Sequence, residues 1–476
     1  MKSIMKSIAL AATFVLAFAT SVFAQDVTAP ISSGTAEFLE VLSSQSIKFN
    51  LWNIVRGVFG MAILLGIAWL CSTDRKQINW ATVGKAIGLQ FIIAISVIAF
   101  PWVQAGFEWV GSGFVTVLNW TQVGTEFLFG PLMSDSIGYV FALKVLPTII
   151  FFSALTSLLY YLGVLQRIVW AMGWVFSRFM GLSGPESLSC AGNIFLGQTE
   201  APLMVKEYIS TMTRSEIMLI MVAGLSTMAG SVLGAYIGML GGGDPGLELQ
   251  FAKHLLSASV MAAPGAIAFA KILRPQTEKV DTNIEVSQDK IGKNVLDAVS
   301  IGTGEGLKLM FNVGAMLLVF YALIAGFNAI CFSIGEVTSL NGVIESITDG
   351  RYTSFSMQFM LSYLFSPIIW LTGMPVADIP LAGRLLGEKL ILTEFIGFQS
   401  LVEMIKIGVF SSPKSIIMST YILCGFANFA SIGIVVGGVG GMAPNKRPIM
   451  SEYGLLALLG SVFVSLMSTI MIGMII

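Results

Sequence analysis

Stretches of about twenty apolar residues recur along this chain, Trp52 to Cys71 and Tyr453 to Ile476 among them. That is the length a helix needs to cross the ~30 Å hydrocarbon of a bilayer. Nothing else in the sequence restricts the fold as strongly, because a backbone in lipid must bond to itself, as a helix or as a closed barrel. A barrel would alternate polar and apolar residues over segments of ~10, and no such segments occur. Only 11% of the 476 residues are charged, against roughly 25% in soluble domains. The expected fold class is an all-α polytopic membrane protein. A net charge of −1 gives no footing for nucleic acid. Cys71, Cys190, Cys331 and Cys424 sit singly in or beside apolar runs, as small packing residues rather than a disulfide set or a metal site. One histidine, His254, excludes multi-histidine metal chemistry.

Charge then orients the spans. Residues 1–24 carry a secretory-signal pattern, with Lys2 and Lys6, an apolar core from Ala9 to Thr20, and Val22-Phe23-Ala24 as a small-residue cleavage site. The segment that follows starts outside, so span one, Trp52 to Cys71, runs inward to the basic loop Asp74-Arg75-Lys76. Span two, about Val83 to Trp102, returns, and the amphipathic, aromatic residues 103–138 lie at the outer interface. Tyr139 to Tyr161 is the third span. Arg167, Arg178, Lys206 and Arg214 cluster on the cytoplasmic side around an amphipathic helix, Gln166 to Met180. Span four, Ile217 to Leu240, is broken at Ser226-Thr227-Met228-Ala229-Gly230-Ser231. Gly241 to Pro245 is an exterior turn, span five runs from His254 to Leu273, and Arg274 to Lys293 is a basic cytoplasmic linker. Span six covers Leu307 to Phe332, residues 334–353 form an exterior loop, and residues 355–373 are apolar again. Span seven, Lys414 to Val439, is interrupted from Gly425 to Gly433. Asn445-Lys446-Arg447 is cytoplasmic and Tyr453 to Ile476 is span eight.

Two polar insertions break this apolar pattern. Ala191-Gly192-Asn193-Ile194-Phe195-Leu196-Gly197-Gln198-Thr199-Glu200-Ala201-Pro202-Leu203 places Asn, Gln, Thr and Glu within eight positions between glycines and a proline. An ionisable group at a helix centre costs about 2.5–3.5 kcal/mol or more in the bilayer, so it faces a cavity or a solute. Irregular backbone at that depth needs protein or a cavity to cover it. The stretch reads as the tip of a re-entrant hairpin; the plainer alternative is a short amphipathic surface helix. Arg384 to Lys406, with Glu394, is the second insertion. Each half of the chain thus has an amphipathic lead-in, a hairpin with a buried Glu, an interrupted span and a plain span. The charge pattern has the two halves enter from opposite sides. Interrupted segments at matching positions of inverted halves point to a transporter's midplane site.

These residues resemble the concentrative nucleoside transporters. Gly197-Gln198-Thr199-Glu200-Ala201-Pro202, Lys389 with Glu394-Phe395, and Gly425-Phe426-Ala427-Asn428-Phe429-Ala430-Ser431-Ile432 match that family's signature segments in order, over about residues 50–476. Thr393 stands where the family usually has Asn, a departure that bears on solute preference. The resemblance implies about eight transmembrane helices plus two re-entrant hairpins, in a homotrimer whose protomers each have a scaffold and a moving transport domain. With the signal (1–24) and periplasmic segment (25–50) read from the residues, the chain then divides into scaffold spans (51–162), a first transport half (163–273), a cytoplasmic linker and amphipathic helix (274–306), a further scaffold span with its exterior loop (307–353) and a second transport half (354–476). The resemblance also implies that Gln198, Thr199 and Glu200 face a nucleobase. Glu394, Asn428 and Ser431 would hold ribose hydroxyls, with Phe426 and Val232 packed nearby. Sodium, the only ion implied, would take the side chains of Asn193 and Thr227 and the carbonyls of Leu196, Thr227 and Met228.

The chemistry of those residue types suits the assignment. A carboxylate beside an amide and a hydroxyl can match groups that both donate and accept, and sodium prefers hard oxygens such as the carbonyls a broken helix exposes. Taken alone, Asn428 and Ser431 read equally well as interhelical glue. Arg384 and Lys389 read as side chains snorkelling to the interface. The expected function is sodium-driven nucleoside uptake across a bacterial inner membrane. The alternatives are proton coupling through Glu200 or Glu394, and, from another class, an intramembrane enzyme built on those two acids, for which no nucleophile–base pair or metal cluster speaks.

Overall fold

The computed structural model describes residues 51–133, 140–278, 280 and 292–476, and among these every regular element is helical. The signal pattern of residues 1–24 lies outside the described residues. Three helices open the chain: α1 (Leu51–Cys71), α2 (Trp80–Ala99) and α3 (Pro101–Phe129). Asn79 caps α2 by accepting from the amides of Ala81 and Thr82, and Pro101 starts α3, where its missing N–H costs nothing. A helical turn at Phe141–Lys144 leads into α4 (Leu146–Tyr161), and α5 (Val164–Met180) follows between two left-handed glycines, Gly163 and Gly181.

The first repeat continues with α6 (Gly184–Gly192), an irregular turn, a 3-10 segment (Ala201–Val205), α7 (Arg214–Ser226), α8 (Gly230–Gly241) and α9 (Pro245–Leu273). Then come α10 (Val295–Val337) and α11 (Leu340–Ile347). The second repeat comprises α12 (Met357–Trp370), α13 (Ile379–Ile391), α14 (Glu394–Lys406), α15 (Pro413–Leu423), α16 (Phe429–Met442) and α17 (Arg447–Ile475). Lead-in, hairpin, broken span and plain span therefore occur twice in the same order. Among the described residues, seven helices or consecutive helix pairs are long and apolar enough to cross a membrane. The seventh expected span, Lys414 to Val439, is delivered as α15 and α16, each short alone. The second hairpin starts earlier than the sequence indicates, at Ile379.

Contacts at the helix ends fix the relative direction of the repeats. Lys446 Nζ donates to Met212 O at 2.6 Å, and Arg214 lies 3.4 Å from the hydroxyl of Tyr453. So α7 and α17 start at the same end. Lys414, in the first turn of α15, donates instead to Ile476 O at 2.9 Å, where α17 finishes. The two broken spans start from opposite ends, and the repeats are inverted. The first of those ends also gathers the loops that carry the basic residues: Thr73 N bonds Leu273 O (3.0 Å), and Thr82 Oγ1 bonds Met180 O (3.2 Å).

Burial separates two layers. Nearly all of α7, α8 and α9 and most of α17 is buried, whereas α10 leaves most of its 43 residues exposed. At 1.5 Å per residue α10 is about 65 Å long, twice the hydrocarbon thickness. It packs along α4 through small residues: a Cβ on Gly302 would lie 2.5 Å from Ser157 Oγ, and one on Gly306 would lie 2.8 Å from Ile150 Cα. Such small-residue seams let backbones approach where lipid supplies no hydrophobic drive. Across from that seam, Phe152 of α4 sits on Gly234 of α8 and stacks on Phe114 of α3, centroids 5.4 Å apart.

Candidate functional site

Ser183 and Glu186 form a capping box at the start of α6, which places Glu186 inside the protein. There its carboxylate accepts from Lys271 Nζ of α9 at 2.6 Å, and the same ammonium donates to Ser215 Oγ of α7 at 3.1 Å. Both charges are almost wholly buried. This clamp ties the first arm of the hairpin to α7 and α9. At the other end of α6, Asn193 donates through Nδ2 to Ser189 O (2.9 Å), while its Oδ1 is buried and accepts no hydrogen bond.

The turn that follows is pinned on both sides. Ser259 Oγ donates to Ile194 O (3.0 Å), and Gly230 N donates to Phe195 O (2.9 Å). Glu200 accepts from Gly197 N at 3.0 Å, closing the tip on itself. Gln198 packs against Gly224, where an added Cβ would stand 3.1 Å from its own, and its Oε1 is buried without a partner. The turn therefore lies along the gap between α7 and α8. In that gap Thr227 is extended, and its hydroxyl donates back to Ala223 O (2.9 Å), which leaves its lone pairs free. A hydroxyl bonded to the preceding turn also helps the helix end there.

In the second repeat α13 stops at Ile391 and Thr393 is extended, so Glu394 becomes the first residue of α14. One carboxylate oxygen accepts from the Tyr236 hydroxyl of α8 (3.0 Å) and the other from Asn428 Nδ2 (2.8 Å). Asn428 is also the N-cap of α16, its Oδ1 accepting from Ser431 N at 2.8 Å. The carboxylate thus sits on one helix N-terminus and is bonded to the cap of another, and both ends favour an anion. Tyr236 stacks on Phe398 and tilts against Phe395, centroids 4.3 and 4.7 Å away. Gly425 has φ +93°, and a Cβ there would lie 2.4 Å from Ser226 O. Only glycine fits, and at that point the two helix breaks cross. Thr199 meets α16 at Gly438, where an added Cβ would lie 2.4 Å from its methyl carbon.

A cavity of about 500 Å³ opens beside the first tip, lined by Thr199, Glu200 and Ser231 on one side and by Ser153, Ser157 and Glu305 on the other. That size accommodates a small organic solute. Of the residues singled out in the sequence, Leu196, Thr199 and Glu200 line it. Glu394, Asn428 and Ser431 form their own buried cluster, Val232 is buried, and Phe426 is half-buried. The sequence alone does not single out Ser153 and Ser157, which are ordinary small polar residues of a span, Tyr236, which looks like any membrane aromatic, or Glu305, which falls just ahead of the expected sixth span.

The interface reading of Arg384 and Lys389 is overturned. Lys389 has no solvent exposure and donates to Ile422 O (2.9 Å) and Cys424 O (2.7 Å). Arg384 is bonded to Glu388 at 2.7 Å. Both charges found partners inside the protein, on a neighbouring element or one turn along. His254 is buried with Nδ1 3.5 Å from the Tyr421 hydroxyl, and the four cysteines are free and buried.

Comparison with known proteins gives a consistent result. Residues 59–132 and 254–473 match the N-terminal and C-terminal models of the Na+ dependent nucleoside transporters, and residues 142–243 match a model described as nucleoside recognition. An uncharacterized transporter of Haemophilus influenzae is 37% identical over 431 residues, covering 89% of this chain and 98% of that protein. Sodium/nucleoside cotransporter 1 of Mus musculus is 35% identical over 87% of this chain, which spans 62% of that longer protein. The solved structure of CNTnw in an inward-facing substrate-bound state is 37% identical, with a TM-score of 0.80 over 88% of this chain and 98% of that one. With seven apolar spans among the described residues and transporter relatives, the chain is a multi-pass membrane protein.

Proposed function

The chain belongs to the sodium-dependent nucleoside transporter family, and on that premise we propose that it takes up nucleosides across a bacterial inner membrane by symport with sodium. The observation that carries the coupling is the buried Oδ1 of Asn193, which accepts no hydrogen bond and stands in the turn laid along the α7–α8 break. A buried acceptor without a donor costs about 1–3 kcal/mol, and a cation removes that cost. Thr227 Oγ1 and the carbonyls of Leu196, Thr227 and Met228 complete an all-oxygen set of the kind sodium takes.

Thr199 and Glu200 would meet the nucleobase at the cavity, and Gln198, packed on Gly224 beside them, would reach it with its unpartnered Oε1. Glu394, Asn428 and Ser431 would meet the ribose, whose hydroxyls can both donate to the carboxylate and accept from the amide. Val232 and Phe426 supply apolar packing beside them. Residues 163–273 and 354–476 would move together as the transport domain against a scaffold of 51–162 and 307–353, with 274–306 linking them. The long exposed face of α10 supports a homotrimer in the bilayer, which a native mass of three protomers would test. Proton coupling through Glu200 or Glu394 is the alternative. Uptake of labelled uridine into inverted-free, right-side-out vesicles decides between them: an inward sodium gradient should drive accumulation at constant pH, and accumulation driven by a proton gradient alone would sink the sodium reading.

A further inference from the structure

Lys389 is a fully buried lysine whose two bonds go to backbone carbonyls rather than to a carboxylate. Those carbonyls, of Ile422 and Cys424, lie where α15 ends and the second broken span opens. Carbonyls at a helix C-terminus lack intrahelical donors and carry the negative end of the helix dipole. A monovalent cation is the natural occupant of such a place.

The inverted repeat shows what stands at the matching place in the first half. There the first hairpin arm is α6 and the first part of the broken span is α7, as α13 and α15 are in the second half. The residue at the end of α6 is Asn193, with its buried and unbonded Oδ1, and the turn it opens is held on the α7–α8 break by the Gly230–Phe195 hydrogen bond. One half thus brings an ammonium to its broken helix, and the other brings an oxygen that still needs a partner.

We propose that Lys389 is a tethered cation filling, in the second half, the ion position that the coupling sodium takes in the first, so that the second half draws no ion from solution. The comparison rests on the sodium reading of Asn193 and Thr227. It gives the two hairpins different duties. The second is locked on α15 throughout the cycle, which keeps Thr393 extended and Glu394 presented at the start of α14. The first is completed only when an ion arrives.

The test counts sodium ions. Purified protein, saturated with uridine, is titrated with labelled sodium, for the parent, Lys389→Asn and Lys389→Met. Lys389→Asn puts a short oxygen-bearing side chain where Lys389 was, and should bind one sodium more per protomer than the parent, with a steeper dependence of uptake on sodium. Lys389→Met keeps the length without the charge. It should gain no sodium and lose roughly tenfold or more in uridine affinity, as befits removal of charge-assisted bonds. An unchanged sodium count in Lys389→Asn with uridine binding intact overturns the proposal.

If Lys389→Asn does not fold, crystals of the parent soaked in thallium(I) decide. Thallium beside Asn193 and none at Ile422 and Cys424 supports the proposal. Thallium at those two carbonyls overturns it, and thallium at neither place removes the equivalence on which it stands. Asn193→Ala separates the two readings, because it should bind one sodium fewer than the parent. An unchanged count there refutes the sodium site itself, whatever Lys389→Asn does.

Discussion

Glu394 was visible in the sequence because an acid between Thr393 and Phe395 in an apolar segment demands an explanation. Its partners were not. Tyr236 is 158 positions away and Asn428 is 34 away, and neither separation leaves a periodic trace. Lys389 shows the same blindness from the other side: read along its own helix it had only the membrane interface to go to, while its acceptors lay on α15. With the geometry known, the effect of Glu394 can be sized. Glu394→Gln keeps the side chain's volume but offers one acceptor oxygen in place of two, and a bond to a charged acceptor contributes about 1.5–3 kcal/mol. Uridine affinity measured by calorimetry should fall roughly tenfold or more. The loss should shrink for whichever deoxynucleoside already lacks the bonded hydroxyl. Equal losses for uridine and for both its 2′- and 3′-deoxy analogues would mean that Glu394 serves only Tyr236 and Asn428.

Among the elements, the interruptions were the most legible. Runs such as Ser226 to Ser231 and Gly425 to Ser431 combine glycine with small polar residues where a lipid-facing helix would carry neither, and both are helix breaks in the structure. Boundaries were less so. Hydropathy alone places the start of span six at Leu307, yet α10 starts at Val295, because Asn294 caps it by accepting from Asp297 N and polar residues continue the same helix beyond the lipid. The hairpin's anchor was invisible too, since Glu186 and Lys271 are 85 positions apart. Breaking a buried pair by removing one partner costs about 3–5 kcal/mol, whereas replacing both charges by apolar groups is often neutral. Glu186→Ala should therefore lower the unfolding midpoint in detergent by several degrees, and Glu186→Leu with Lys271→Met should recover most of it. If the double variant is as unstable as the single one, the clamp contributes more than the removal of an unpaired charge.

At the scale of the whole molecule, the two-fold plan could be read from the order of lead-in, hairpin, broken span and plain span, and from charges that put matching spans in opposite directions. What could not be read is that each repeat is completed by the other. Tyr236 of the first bonds Glu394 of the second, Thr199 of the first rests on Gly438 of the second, and Gly425 passes over Ser226. Split between residues 280 and 292 and made as two chains, the protein should regain sodium-driven uridine uptake only when both pieces are expressed together, and uptake by the first piece alone would contradict this mutual completion. The crossing at Gly425 and Ser226 also has a meaning in time. Synthesis reaches the end of α9 with about 200 residues still to come, which at ~5–20 residues per second takes roughly 10–40 s. For that interval Thr199, Ser226 and Tyr236 are already made while Gly438, Gly425 and Glu394, which meet them in the finished protein, do not yet exist, so the newborn first half holds a site that it cannot close by itself.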